Sequence, residues 1–588
     1  MKKLLLSFAL LLPLAMNAQT PWDGNLSTVT TSVTVQDGTT ITGTLANNVK
    51  ISIAAGATVT LDGASINANN AFTSGSYAGL TCNGSATIIL KGANFVHAIA
   101  KNYPGIYIPA DYTLTIQEHA DGGSLEATAN LSTTITNSKA AGIGTGSNTG
   151  NGGNILIEGG TIYAQSVGAC AAIGAGDYRT CGTITITGGN ITVVGSSAAG
   201  IGAGDGGSAN CGDITISGGT VHATGGRAGI GAGCFADCGN ITISGGNVTA
   251  VGGTYAGGAG IGAGTGNCGN ILISGGVIHA TSLGGAAAIG AGAGGSTYHN
   301  GICGTITIES AATVTAINEG SGNAIGRGPA TNNSCGTITI NGHTLTTDKI
   351  ANDFASEMEL SDDANNNKAV LTELVDIPFT QVTINRALYR DGYFSTLCLP
   401  FDLSEAQIAA CELADFEIYS FGSADYDGSF LKLSIAEETS IEAGKPYLVR
   451  STTNDAAITS LTFSNVTVTE SVGQEVEHDG VKFIGTIGRT TLPHSADYLF
   501  LGGENKLSWS ASTDASSMKG FRAYFNVGTG ATPAQHAPAR LVIIPKAPTG
   551  VEEISLEPMV NSQKSIENGV LIIEKNGVRY NAQGQIIK

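Results

Sequence analysis

Short blocks of alternating hydrophobic and polar residues recur about every 30 residues between positions 153 and 347. One block reads G-x-I-T-I-x-G-G-x-V-x-A. It occurs as GNILIEGGTIYA (153–164), GTITITGGNITV (182–193), GDITISGGTVHA (212–223), GNITISGGNVTA (239–250) and GNILISGGVIHA (269–280). Degenerate copies follow as GTITIESAATVTA (304–316) and GTITINGHTLTT (336–347). Weaker ones precede it as ATVTLDGASINA (57–68), ATIILKGANFVHA (86–98) and YTLTIQEHADGGSLEA (112–127). A second block, A-G-I-G-A-G, puts its isoleucine at Ile143, Ile173, Ile201, Ile230, Ile261, Ile289 and Ile325, at spacings of 30, 28, 29, 31, 28 and 36. The blocks are too short for helices, and β-branched residues at alternate positions suit strands. In GTITITGG, Ile184 and Ile186 face one way while Thr183, Thr185 and Thr187 face the other. The G-G pair ends the first strand, V-x-A makes the second, and A-G-I-G-A-G the third. One coil cannot bury its isoleucines, but stacked coils bury a continuous column. The pattern therefore predicts an all-β chain opening with a parallel β-helix of about ten coils; a right-handed one is expected, although the spacing itself does not set the hand.

The glycine repeat stops after Thr347. Residues 348–375 are polar and acidic and read as a cap or linker. Over 376–546, segments such as YFSTLCLPF, KPYLVRS, VKFIGTI and FRAYFNV alternate at intervals typical of an antiparallel β-sandwich. Gln407–Leu413 reads as a short helix. Residues 547–588 form a linker, Ala547-Pro548-Thr549-Gly550, and a tail with turns at Asn568-Gly569, Asn576-Gly577 and Ala582-Gln583-Gly584. The solenoid is expected over 19–347, and residues 1–18 read as a signal peptide. Lys2 and Lys3 precede the apolar run Leu4–Leu14, and Ala15 and Ala18 permit cleavage before Gln19. That run is too short for a transmembrane segment, and no stretch of 18 apolar residues occurs later.

Composition narrows the function classes. Gly contributes 85 residues and charged residues only 12%, yet 42% are hydrophobic, so the glycines belong to something ordered. The net charge of −19 excludes nucleic acid as an expected partner. Six of the 11 cysteines (Cys181, Cys211, Cys238, Cys268, Cys303, Cys335) share the slot before the glycine that opens the first strand. Equivalent side chains in stacked coils run parallel at about 4.8 Å, against about 3.8 Å between disulfide Cβ atoms. A ladder of free, inward thiols acting as apolar filler is the expectation. No metal and no cofactor is expected, because no Cys-x-x-Cys pair or nearby histidine accompanies the ladder. Cys234 with Cys238, or Cys398 with Cys411, remains open as a bridge.

The chain also resembles known families. The G-N-I-T-I-S-G-G-x-V-x-A coils, over roughly 50–347, resemble bacterial carbohydrate-binding β-helix proteins, related in fold to polysaccharide lyases. T-L-C-L-P-F (396–401), A-G-K-P-Y-L-V (443–449) and F-R-A-Y-F (521–525) resemble a β-sandwich module near the C-termini of surface proteins of Gram-negative anaerobes. The tail G-V-R-Y-N-A-Q-G-Q-I-I-K is similar to the C-terminal sorting segment of type IX secretion cargo. These resemblances imply a glycan or polysaccharide ligand, host or envelope surface components as partners, and delivery to the outer surface of a Gram-negative cell.

Catalysis on such a fold needs clustered acids or bases. Residues 139–345 contain only Glu158, Asp177, Asp205, Asp213, Asp237, Glu309 and Glu319, with Lys139, Arg179, Arg227 and Arg327. Glu158 and Glu309 share a slot but lie five coils apart, about 24 Å, and no pair is close in the aligned blocks. The chain is therefore expected not to be an enzyme. The outward slot of the second strand is more varied: Glu126, Tyr163, Thr192, His222, Thr249, His279, Thr315. It reads either as a solvated face or as a sugar-contacting row, with Tyr163 stacking on a ring and His222 and His279 bonding hydroxyls. First-strand threonines (Thr183, Thr185, Thr305, Thr307, Thr337, Thr339) suggest an ice-binding array, interrupted by Leu156, Leu272 and Asp213. The A-G-I-G-A-G face reads either as corners that need glycine or as a smooth strip open to a glycan. The functional expectation is a non-catalytic, carbohydrate-binding or adhesive surface solenoid. A structural spacer and a polysaccharide lyase or hydrolase are the alternatives.

Overall fold

The computed structural model describes residues 22–544, apart from 68–74, 130–137, 255–256, 295–300, 352, 428, 493–496, 510–515 and 529–537, together with four short strands of the tail. The expected signal peptide (1–18), the linker after 546 and the tail turns lie outside the described residues.

Residues 22–350 form a parallel β-helix. One face stacks eleven parallel strands, from Val33–Val35 through Ile51–Ile53, Leu80–Cys82 and Ile106–Tyr107 to the Ile-Gly pairs ending at Ile325–Gly326. The coils thus begin before residue 50, in a stretch that lacks the glycine pairs of the repeat. The other two strands of each coil run in register up the solenoid: Ile155, Ile184, Ile214, Ile241, Ile271, Ile306 and Ile338 on one, Ile162, Ile191, Val221, Val248, Ile278 and Val314 on the next. All of these are at most 1% exposed. Each buried β-branched side chain contributes about 1.5–3 kcal/mol relative to exposure, so stacking, not any single coil, holds the fold.

The third strand is shorter than the A-G-I-G-A-G block. Only Ile-Gly pairs with neighbouring coils, and the flanking alanines close a bend in which Ala171 N–H donates to Ala175 O (3.0 Å) and Ala259 N–H to Ala263 O (3.0 Å). The second glycine of the block has φ near +130° at 174, 202, 231, 262 and 290. A Cβ there would sit 2.0–2.2 Å from the glycine carbonyl of the next coil.

Two side-chain ladders flank the cysteine slot. Thr183, Asn240, Asn270 and Thr305 each donate a backbone N–H to the Asx Oδ1 one coil earlier (Asn154, Asp213, Asn240 and Asn270; 2.7–2.9 Å). In the second ladder Asn210, Asp237 and Asn267 each accept, through Oδ1, the backbone N–H of Asp237, Asn267 and Ile302 respectively, one coil later, at 2.9–3.2 Å. At the corners, where the backbone ladder is interrupted, these bonds satisfy donors that would otherwise lack partners.

After Ile340 the chain closes the end of the solenoid. His343–Thr344, Lys349–Ile350 and Phe354–Ala355 each fold back antiparallel on the last strand of a face. An unpaired parallel edge is a template for association, and these three pairings occupy it. The segment expected as a cap or linker, 348–375, is structured: Glu357–Ser361 pairs in parallel with Pro378–Asn385, which pairs with Leu461–Thr467, and Asn367–Glu373 is an α-helix. Phe354 and Phe379 meet at 6.3 Å between centroids, so the solenoid core runs on into the next one.

Two five-stranded sheets follow. Phe394–Cys398, Pro446–Ser451, Phe416–Tyr426, Leu431–Glu438 and Ala539–Ile544 make one, with a parallel pair at its last edge. Glu475–His478, Val481–Thr486, Arg522–Asn526, Tyr498–Leu501 and Leu507–Trp509 make the other, all antiparallel. Their facing sides share a core in which Phe483 stacks on Phe525 at 4.3 Å and Phe421 meets Phe525 edge-on at 5.4 Å. The arrangement is a β-sandwich. The helix expected over Gln407–Leu413 lies at Glu405–Ala409, starting two residues earlier and opened by a Ser404–Gln407 capping box. In the tail, Ser562–Glu567, Val570–Lys575, Val578–Tyr580 and Ile586–Ile587 form a four-stranded antiparallel sheet.

Candidate functional site

The second strand of each coil carries its outward residues in unbroken register. Phe95, Glu126, Tyr163, Thr192, His222, Thr249, His279 and Thr315 form one row across eight coils. His222 and His279 are exposed and separated by Thr249, two coils apart. Tyr163 is half-buried. Its hydroxyl donates to Gln165 Oε1 at 3.0 Å, and burial, then the charge of Glu126, push its phenol upward. Glu126 is held by buried His97, whose Nε2 lies 3.0 Å from Oε1. Phe95, 37% exposed, extends the row one coil beyond the sequence reading. The result is a carboxylate between two aromatic rings one coil away on either side, followed by hydroxyls and imidazoles. The copy ATIILKGANFVHA (86–98) has the single Gly92 in place of the G-G pair, which left the register of Phe95 with Glu126 unread.

The six cysteines of the shared slot stack in one column. Cys211, Cys238, Cys268 and Cys303 form successive parallel bridges, and Cys303 pairs with Cys335. All six thiols are free and all but Cys335 are buried. The neighbouring Cys181 thiol and then burial hold the proton on Cys211, and Cys268 and then burial do so for Cys238. These thiols are poor nucleophiles. Neither open pair is bridged: Cys234 accepts from Thr265 Oγ1 (3.2 Å), Cys398 donates to Gly444 O (3.1 Å) and Cys411 to Ile408 O (3.3 Å). Among the described residues no group of three or more His, Cys, Asp or Glu is arranged to hold a metal ion.

The first-strand threonines do not make a flat array. Thr183 and Thr305 belong to the Asx ladder. In the next slot Leu156 and Leu272 interrupt Thr185, Thr215, Thr242, Thr307 and Thr339. Nor is the A-G-I-G-A-G face an open strip. Its residues are buried, and its glycines are demanded by positive φ and by the approach of the next coil.

That same corner places two carboxylates in successive coils. Asp177 and Asp205 each follow A-G-I-G-A-G in adjacent coils, three residues beyond the paired Gly174 and Gly202. Asp177 is buried and bonded to Lys139 Nζ at 2.9 Å. Asp205 accepts the Cys234 N–H at 2.7 Å. Tyr178, 62% exposed, lies over Gly206 beside them. Burial raises the Asp205 carboxyl to about 6, against the opposing pull of the Cys234 N–H and Arg227. Aligning the residues after A-G-I-G-A-G was the signal that would have found the pair.

Because folded Asp205 holds its proton more tightly than the unfolded chain, folding takes up protons between about pH 4 and 6. Its contribution is intact below the unfolded value of 3.8 and is lost as pH rises towards 6. Two pKa units correspond to about 3 kcal/mol. Asp205→Asn is therefore expected to stabilise the protein by about 2–3 kcal/mol at pH 7.5 and to add nothing at pH 4. Urea unfolding at the two pH values checks this; equal effects at both would contradict it.

Five stretches, 155–177, 184–205, 214–234, 241–265 and 271–293, match the family described as Beta helix repeat. They cover the coils that carry Tyr163, His222, His279, Asp177 and Asp205. No curated protein and no solved structure shows a significant match to the chain.

Proposed function

We propose that this chain is a non-catalytic, carbohydrate-binding solenoid with an adhesive role, exported to the outer surface of a Gram-negative cell. The observation that carries the reading is the outward row from Phe95 to Thr315, in register across eight coils. A polysaccharide is itself a linear repeat, and a row of side chains at a constant interval of about 4.8 Å meets it without bending it. Aromatic rings offer faces for sugar rings, while carboxylate, imidazole and hydroxyl groups match hydroxyls. Export is supported by the Lys2-Lys3 and Leu4–Leu14 segment and by the tail's likeness to sorting segments. Among the described residues no helix is long and apolar enough to cross a membrane.

Affinity electrophoresis of the full chain in polysaccharide gels tests the reading. Tyr163→Ala/His222→Ala/His279→Ala is expected to lose most of the retardation seen with wild type. Unchanged retardation, or none with wild type across acidic and neutral polysaccharides, rejects the binding row and leaves the spacer.

One observation favours a second reading, a polysaccharide hydrolase. Asp177 and Asp205 occupy the same corner of successive coils, and an acid held near 6 suits proton transfer at neutral pH. Release of reducing ends that Asp205→Asn abolishes would replace binding by catalysis.

A further inference from the structure

The sandwich contains a pocket of about 300 Å³ that the solenoid reading does not use. Its floor includes Arg386, which is 2% exposed. Its Nη1 donates to the Phe521 carbonyl and its Nη2 to the Thr396 carbonyl. Its Nε is buried and has no hydrogen-bond partner among the described residues. Neither bonded partner carries a charge. The nearby carboxylate of Asp362 is engaged elsewhere, with Arg522 Nη2 at 2.6 Å and Lys519 Nζ at 3.5 Å. Burial, and then the charge of Arg522, lower the Arg386 guanidinium to about 9. A buried cation that lacks a bonded counter-ion is costly, and guanidinium geometry matches a carboxylate.

The walls supply the rest. Tyr389 is 60% and Tyr393 40% exposed, and Phe394 and Phe500 line the same pocket. Ser395 and Thr396 add hydroxyls, although Thr396 Oγ1 already accepts the Ala523 N–H at 3.0 Å. Asp391 also lines the pocket, where its Oδ1 accepts the Tyr393 N–H at 3.0 Å. Asp391 is exposed and Arg386 buried, so an acidic ligand fits only with its charge turned towards Arg386 and away from Asp391. Aromatic rims around a few placed polar groups are the usual composition of small-ligand sites.

We propose that this pocket binds an acidic sugar residue of the uronate type, its carboxylate directed at Arg386 and its ring face against Tyr389 or Tyr393. The site is separate from the solenoid row and does not rest on it. Titration calorimetry of the full-length chain with methyl β-glucuronide and methyl β-glucoside tests it. Wild type is expected to bind the glucuronide saturably and at least about ten-fold more tightly than the neutral glucoside, the worth of one charge-assisted bond. Tyr389→Ala/Tyr393→Ala, which alters exposed side chains only, is expected to weaken the glucuronide at least ten-fold with an unchanged melting temperature. Arg386→Met is expected to erase the preference for the acid; because it also removes two bonds to backbone, the tyrosine variant is the deciding one. The solenoid triple variant is expected to bind the glucuronide like wild type. No saturable binding, equal affinity for both sugars, or binding lost only in the solenoid variant would overturn the proposal.

Discussion

Gly202→Ala is expected to unfold the middle of the solenoid. Gly202 has φ of +129°, a conformation L side chains rarely adopt, and its Cβ would lie 2.1 Å from the Gly231 carbonyl of the next coil. Backbone strain of this kind costs about 1–3 kcal/mol. The overlap is with main chain that is itself hydrogen-bonded, since Ala175 N–H donates to Gly202 O and Ala203 N–H to Gly231 O, so relief requires the two coils to separate. Separation breaks pairing on this face and exposes Ile201 and Ile230. A loss of more than about 4 kcal/mol is expected, in the range reserved for core disruption. Gly38→Ala is the control: φ there is +75°, yet nothing lies within 4 Å of the added Cβ, and the cost should stay near 1–2 kcal/mol. Urea unfolding monitored by circular dichroism separates the two. A Gly202→Ala protein with the wild-type midpoint would mean that the coils do not stack glycine on glycine.

Phe354→Ala is expected to cost about 3–5 kcal/mol and to change the oligomeric state. Phe354 is 1% exposed, lies in the strand that closes the Ala312–Asn318 edge, and meets Phe379 of the following sheet. Truncating it removes the contact that holds the cap against both neighbours. The freed edge presents the backbone groups of a parallel strand, which pair readily with another edge. Light scattering after size-exclusion chromatography should show concentration-dependent association absent from wild type. A monomer of unchanged stability would show that the cap is held by the pairings at Lys349–Ile350 and His343–Thr344 alone.

The repeat was legible because its signal is local. Ile184 and Ile186, or Ile214 and Ile216, face inward by the period of two that any strand imposes, and the G-G pair marks the turn in every full copy. The cysteine slot was legible for the same reason. The Asx ladders were not, since Asn154, Asp213, Asn240 and Asn270 share their slot with Thr183 and Thr305. Their role depends on a side chain reaching the backbone of the next coil. Asp177 and Asp205 were missed because the alignment followed the strands and stopped short of the corner. Residues 348–375 read as a cap or linker without a decision between them because an antiparallel cap has no repeat of its own; it takes its register from strands up to about 40 residues earlier. Arg386 carried no signal, since a lone arginine after an alternating segment reads as surface.

Sequence alone therefore determined the class of fold, the side of each strand that faces inward and the residues that stack coil on coil. These follow from side-chain alternation and from the need of every coil for a neighbour to bury its isoleucines. Tertiary structure decided how closely the coils approach at Gly202, which carboxylates become neighbours, how the solenoid ends and where a guanidinium is buried. Each depends on chain segments brought together by packing, and the free energy of such contacts belongs to the pair and not to either residue.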